Sequence, residues 1–221
     1  MSEIKEFSDW KGESTLFAFW FGINDITKTS WTIEETIIEG LNHLIKVLNE
    51  CYEEGARNYL IFNIPPFDKS PEEFNVENVS LFITKFNNGI ERKVKEFSLS
   101  NPEANVILYN SFDELECILM NHDKYNITDI KNEYVQNRKK NPYTFYWNNG
   151  CHPSEKVQQY LTEDLHNYLN SISVNKTPEI NNSTVKASSH LIQTNGVNKF
   201  NIELSHSLFS IIIFYIIFIF F

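Results

Sequence analysis

The apolar run from Leu16 to Phe21 constrains the fold more than any other stretch, because it is apolar at every position and ends abruptly at Gly22. A strand with one face in water alternates apolar and polar residues, so this run predicts a strand that helices cover on both faces. Gly22 permits a tight turn. Asn24 and Asp25 then lie at the predicted carboxyl edge of the sheet, where open α/β folds bind their ligands. A plain turn that caps the next helix is the other interpretation of these residues.

Strands and helices are predicted to alternate along the chain. Residues 59–64 and 105–109 are two more apolar segments, and the residues between them carry apolar side chains at helical spacing. Thr32 and Glu35 form a capping box that predicts a helix start, and Gly55 predicts the end of that helix. Another helix is predicted to begin near Ser154. Residues 122–142 are polar and are predicted to be a surface connection. The alternation predicts an α/β fold, a three-layer α/β/α sandwich with a parallel sheet.

The charge and the cysteine content exclude several classes of function. With 221 residues and 42% hydrophobic content the chain can bury the core of one domain, and its formal net charge is -10 at pH 7. Nucleic-acid affinity comes mainly from clustered Lys and Arg, so no nucleic-acid partner is predicted. Cys51, Cys117 and Cys151 are an odd number, at spacings that fit neither a disulfide framework nor a metal site. No metal is therefore expected.

A cysteine nucleophile is one interpretation of Cys151, which stands next to His152. Adjacent side chains do not normally face each other across a strand or a loop. Cys151 is therefore expected to be an ordinary loop cysteine.

The two ends of the chain differ in character. Residues 1–7 contain no apolar segment of a signal peptide. Glycosylation sequons are typical of an exported glycoprotein, and they stand at Asn78, Asn126, Asn175, Asn181 and Asn182. The folded domain is predicted to end near Asn170. Residues 171–207 are polar without periodicity and are predicted to be a disordered spacer.

Residues 208–221 form an apolar tail that continues to the last residue. As a helix this tail would span roughly 20 Å, less than the ~30 Å hydrocarbon core of a bilayer. A GPI-attachment signal and a short tail anchor both fit such a segment. Either one predicts a protein anchored to a membrane, at the cell surface or in the secretory pathway.

Three sequence motifs stand one after another along the chain. They are TLFAFWFGIND at residues 15–25, GARNYLIFNIPP at residues 55–66 and YWNNGCHP at residues 146–153. Together they resemble the later sequence blocks of the GDSL (SGNH) esterases and lipases, in particular the fungal and plant-type acyl and acetyl esterases active on carbohydrates. The resemblance runs from about Trp10 to Asn170. It implies the flavodoxin-like α/β/α fold of that family.

The resemblance also implies roles for three side chains. His152 matches the family histidine that acts as general base, and Asn24 matches the asparagine of the oxyanion hole. Asn149 occupies the position of the family aspartate, three residues before the histidine. An asparagine can accept a hydrogen bond from the ring but cannot stabilise the imidazolium by charge. The implied substrate is an ester, such as an acetylated polysaccharide or a lipid, and no cofactor is implied.

The family's nucleophile block, Gly-Asp-Ser, is expected before Thr15 and does not occur there. Gly12-Glu13-Ser14 is similar in composition, but a nucleophile elbow follows a strand and opens a helix, whereas Ser14 precedes the strand. The chain is therefore expected to be an N-terminally truncated domain that is inactive by itself. The alternative is a non-catalytic protein displayed at a membrane, which binds glycans or has degenerated from such an enzyme.

Three tryptophans near these motifs could form a sugar platform or belong to the core. They are Trp20, Trp31 and Trp147. A core position is the commoner role for a residue such as Trp20, which stands inside a predicted strand.

Overall fold

Three parallel strands form the main sheet of the protein. The structure, a computed structural model, describes residues 10–25, 32–72 and 76–172. Strands β1 (Leu16–Trp20), β2 (Asn58–Phe62) and β3 (Asn105–Tyr109) lie in the order β1-β2-β3. The final residues of the three strands, Trp20, Phe62 and Tyr109, are register partners, so the strands end at one level. The three predicted strands and their parallel arrangement are confirmed.

Helices cover both faces of this sheet. Phe19, Tyr59 and Ile61 point to one face, where they pack with helices α1 (Ile33–Glu53) and α2 (Val76–Ser100). The alternate residues, such as Ala18 and Leu60, pack on the other face with helices α3 (Ser111–Met120) and α4 (Glu155–Ile172). This is why β1 and β2 lack polar alternation. The predicted three-layer α/β/α arrangement is confirmed.

Helix α1 begins and ends at the residues that its sequence predicts. The Thr32 hydroxyl oxygen accepts a hydrogen bond from the Glu35 N–H at 3.3 Å, and Glu35 Oε2 accepts one from the Thr32 N–H at 3.0 Å. These two bonds complete the capping box. Gly55 has a φ of +103° just after the helix, a conformation that favours glycine.

Helices α1 and α2 approach each other closely at two glycines. A Cβ added at Gly40 would lie 2.8 Å from Cε2 of Phe86, and a Cβ added at Gly89 would overlap Cδ1 of Leu41. Phe86 and Leu41 are both buried. The absence of side chains at positions 40 and 89 therefore sets the distance between the two helices.

A second small sheet begins within the surface connection expected at residues 122–142. Strand β4 (Asp129–Glu133) pairs in parallel with β5 (Phe145–Asn149), and β6 (His152–Pro153) pairs with β5 in antiparallel orientation. The segment does lie at the surface, as expected, but it includes a strand, β4, that was not predicted. This strand is polar in sequence because its side chains are partly or fully exposed, and its order comes from pairing with the buried start of β5.

Helix α4 is the last element that the structure describes, and it ends at Ile172. The predicted spacer and the apolar tail at residues 208–221 lie outside the described residues. Within the described part of the chain, no helix combines the length and apolar character needed to cross a membrane.

Candidate active site

His152 and Asn149 face each other where strand β5 turns back into β6. The Asn149 side-chain oxygen lies 2.6 Å from Nδ1 of the exposed His152 ring and also accepts the His152 backbone N–H at 3.2 Å. Because the backbone N–H can only donate, the atom that it meets is the amide oxygen. Nδ1 therefore carries the ring hydrogen, and Nε2 keeps the lone pair that a general base needs.

Cys151 lies closer to His152 than the sequence predicts. Its Sγ is 3.4 Å from Nδ1 of the ring, so the expectation that these adjacent side chains do not meet is wrong. Nδ1 is the nitrogen that already donates to Asn149, which leaves no base on that side to deprotonate the thiol. Burial, and next the charge of Glu72, raise the pKa of Cys151. The thiol therefore stays protonated at neutral pH, as expected of an ordinary loop cysteine.

Asn24 lies in the turn after β1, and its side chain is exposed. Gly22, two residues earlier, has a φ of +99°, and a Cβ there would lie 2.6 Å from Cδ1 of Ile64 and 2.8 Å from Cε1 of Phe86. Glycine at position 22 thus lets the turn pack against the residues that follow β2. Its neighbour Ile23 packs on the core formed by β1, β2, α1 and α2.

The loop of His152 approaches the same segment of chain after β2. The Glu72 N–H donates to the Gly150 carbonyl at 3.1 Å, and the Glu72 carboxylate occupies the space that a Cβ on Gly150 would need. Residues 63–72 therefore contact the turn of Asn24 at one end, through Ile64, and the loop of His152 at the other. That the two side chains converge on one crevice stays a prediction.

A network of polar side chains, which was not predicted from the sequence, joins the ends of β2 and β3. The Asn63 amide donates to Asn110 Oδ1 at 2.7 Å, and Asn63 Oδ1 accepts the Phe112 N–H at 2.9 Å. The Asn63 carbonyl accepts bonds from the Ser111 hydroxyl at 2.6 Å and from Trp20 Nε1 at 3.0 Å. The signal that could have found the network is an asparagine directly after each of two neighbouring strands.

Two of the three candidate tryptophans have structural roles. Trp20 stacks on Phe62 with ring centroids 4.9 Å apart and donates to the Asn63 carbonyl. Trp147 is 2% exposed, and its Nε1 donates to the Ile130 carbonyl at 3.1 Å. Trp31 lies outside the described residues.

Within the described ranges, no hydrogen bond joins a serine hydroxyl to the His152 ring. Ser14 is exposed before β1, and Ser154 is buried, where its hydroxyl oxygen accepts the Val157 N–H at 3.4 Å as a cap of α4. The same part of the chain holds no group of three or more His, Cys, Asp or Glu that could hold a metal ion. The described residues can thus supply a base and amide donors.

Comparison with known proteins identifies the family of the chain. The sequence model of the GDSL-like lipase/acylhydrolase family matches residues 2–165. An acetylesterase of Thermothelomyces thermophilus is 21% identical over 169 residues, which are 72% of this chain and 53% of that protein. The chain thus spans about half the length of this relative. With most of its residues matched by the family model, the chain belongs to the GDSL lipase/acylhydrolase family of ester hydrolases.

Proposed function

We propose that this chain forms the later part of an ester hydrolase that removes acetyl or other acyl groups from a carbohydrate or a lipid. The observation that carries the proposal is the 2.6 Å contact between Asn149 and His152 Nδ1, which leaves Nε2 available as a base. The name of the similar acetylesterase supports an acetyl ester as substrate.

In the proposed reaction a serine hydroxyl attacks the ester carbonyl and His152 Nε2 accepts its proton. The Asn24 amide donates to the oxygen that becomes negative, a contribution of a few kcal/mol in comparable sites. His152 then returns the proton to the leaving alcohol, and water releases the acyl group by the same steps. No Gly-Asp-Ser sequence occurs among the 221 residues, so the proposal requires a serine beyond them.

The experiment compares this chain with a longer one. The transcript upstream of the Met1 codon is sequenced, and any in-frame extension with Gly-Asp-Ser is expressed together with residues 1–221. We expect p-nitrophenyl acetate hydrolysis from the longer chain, none from residues 1–221 alone, and loss of activity in His152→Ala. The matched control is His43→Ala, an exposed histidine on α1, which should keep full activity. Turnover by residues 1–221 that depends on His152 contradicts the proposed need for an outside serine.

A non-catalytic, glycan-binding surface protein is the second proposal, and the neutral Asn149 in place of an aspartate favours it. The full chain is tested for binding to acetylated xylan. Binding that survives the double change Asn24→Ala and His152→Ala, together with no ester hydrolysis by the longer chain with Gly-Asp-Ser, supports this second function. Hydrolysis by that longer chain supports the hydrolase instead.

We further propose that residues 208–221 attach the protein to a membrane of the secretory pathway or cell surface. The support is the uninterrupted apolar sequence of this tail. A tagged chain should sediment with membranes and lose this association without residues 208–221. Release by phosphatidylinositol-specific phospholipase C distinguishes a GPI anchor from a tail anchor.

A further inference from the structure

A cavity opens beside the carboxyl ends of β2 and β3, between helix α2 and the first turn of α3. Its volume is about 250 Å³. We call it the amide cavity, because its polar lining consists of four asparagines, two carboxylates and one threonine: Asn63, Asn87, Asn88, Asn110, Glu91, Asp113 and Thr84. None of the residues proposed for ester hydrolysis belongs to it.

Hydrogen bonds hold two sides of the amide cavity in place. On one side Asn63 donates to Asn110 Oδ1, and Asn110 donates to Asp113 Oδ2 at 2.7 Å. On the other side the Asn87 amide donates to the Ile64 carbonyl at 2.9 Å and accepts the Ile64 N–H at 2.8 Å. The polar groups of these side chains that form these bonds are already paired within the protein. They shape the cavity before any ligand arrives, which lowers the ordering cost of binding.

Other polar groups of the cavity remain available to a ligand. Asn88 and Glu91 are exposed one turn apart on α2, and the described residues offer neither of them a hydrogen bond or an ion pair. Asp113 uses Oδ2 for Asn110, which leaves Oδ1 open. The Thr84 hydroxyl donates to the Ser80 carbonyl at 2.9 Å, so it can only accept from a ligand. Besides it, the cavity presents one amide, which both donates and accepts, and two carboxylates, which accept.

The lining disfavours an anion and fits a ligand with several hydroxyl groups. No Lys, Arg or His lines the cavity, and the two carboxylates repel an anion. Hydroxyl groups both donate and accept, so they match an amide next to carboxylates. An ammonium group would be attracted by the carboxylates but can only donate, so it could not accept from the Asn88 N–H groups as a hydroxyl can.

Phe112 adds an apolar wall to the same cavity. It is half-buried, and its backbone N–H is fixed by Asn63 Oδ1. The C–H face of a sugar ring packs on such a side chain while its hydroxyls reach the polar groups. From these contacts we propose that the amide cavity binds a neutral sugar residue. The proposal stands apart from ester hydrolysis, because it uses none of the residues assigned to that reaction.

The test titrates the full 221-residue chain with xylobiose, a neutral disaccharide, and follows binding by calorimetry and by amide NMR. We expect the Asn88 side-chain amide and the Phe112 backbone amide to shift. The double variant Asn88→Ala, Glu91→Gln should raise the Kd by roughly tenfold or more, because it removes bonds to the ligand that include a charged acceptor. Glu96→Gln, an exposed change on α2 outside the cavity, should leave the Kd unchanged.

A further measurement tests the proposed selectivity. Digalacturonic acid, an anion, should bind more weakly than xylobiose, because the two carboxylates repel it. Tighter binding of digalacturonic acid overturns the proposal. So does a Kd for xylobiose that is unchanged in the Asn88→Ala, Glu91→Gln variant, or one that rises only in the Asn24→Ala, His152→Ala variant. Asn88 and Glu91 are both exposed, so their substitution should leave the melting temperature unchanged. Thermal unfolding of each variant checks that the fold is intact.

Discussion

Asn149 Oδ1 accepts two hydrogen bonds from one residue, from Nδ1 of the His152 ring at 2.6 Å and from the His152 backbone N–H at 3.2 Å. The two bonds fix both the tautomer and the direction of the ring. Because the Asn149 side chain is an amide, it fixes the tautomer and direction of the ring without carrying a charge. The imidazolium that forms when Nε2 accepts a proton therefore gains orientation from Asn149 but little electrostatic stabilisation.

Asn149→Asp should raise kcat of the longer, serine-containing chain toward p-nitrophenyl acetate. A carboxylate keeps the hydrogen bond and adds charge, and in a serine-protease triad the reverse change costs roughly 10⁴ in turnover. KM should change little, because the effect arises in the transition state. Steady-state kinetics provide the measurement, with Asn149→Ala as the control that loses activity. A carboxylate variant no faster than the asparagine form contradicts this role for position 149.

Glu114 should make the stability of the fold depend on pH. Burial, and next the charge of Asp164, raise the pKa of Glu114 from 4.5 to about 7. Between these values the folded state binds more protons than the unfolded state, so the free energy of unfolding falls as pH rises from about 4.5 to about 7. Glu114 is only partly buried, and solvent screening reduces the effect to about 1 kcal/mol. Urea unfolding at several pH values in this range should show a smaller fall of the unfolding free energy in Glu114→Gln than in the unchanged protein. The same dependence of the unfolding free energy on pH in the two proteins would contradict the prediction.

Asn58→Ala should destabilise the protein by about 1–3 kcal/mol, because it removes several hydrogen bonds of a buried side chain. Asn58 is 2% exposed, and its amide donates to the carbonyls of Gly12 at 2.9 Å and Glu13 at 3.1 Å while accepting from Asn105 at 2.9 Å. Chemical denaturation measures the loss. The matched control is Asn49→Ala, an exposed asparagine on α1, with an expected change below about 0.5 kcal/mol. Equal effects of the two substitutions would show that Asn58 does not hold the start of β1.

Gly89→Ala should cost about 1–3 kcal/mol, because its Cβ overlaps the buried Leu41 side chain. Leu41→Ala by itself should also destabilise the fold, through the cavity that it leaves. Combined, the two changes should cost less than their sum, since the smaller side chain at position 41 makes room for the new Cβ. A double-mutant cycle by denaturant unfolding checks this, and strictly additive losses would mean that the helices separate instead.

The sequence predicts the main sheet and its helices well because their signals are local. The unbroken apolar run at Leu16 identifies a strand buried on both faces, and the Thr32–Glu35 capping box marks the start of α1. The pair formed by His152 and Asn149 could be anticipated in the same way, since both residues lie within one short motif. Such features need no knowledge of distant neighbours.

Features that depend on distant neighbours could not be predicted. Strand β4 is polar, and only its pairing with β5 makes it a strand. The bond from Asn63 to Asn110 joins residues 47 positions apart. The place of each asparagine directly after a strand indicates the edge of the sheet, but it does not indicate which residue is the partner. The distance between Asn24 and His152 belongs to the same class, which is why their convergence stays a prediction.

The paired hydrogen bonds between the Asn87 amide and the backbone of Ile64 carry an evolutionary consequence. Asn87 on α2 bonds only to main-chain atoms of residue 64. One apolar side chain can therefore replace another at position 64 without breaking these two hydrogen bonds. Position 87 has no such latitude, because aspartate lacks the donor, leucine lacks both groups and glutamine is one methylene too long. Among relatives that share this contact, we expect position 64 to vary only among apolar residues that fit beside Gly22, and position 87 to stay asparagine.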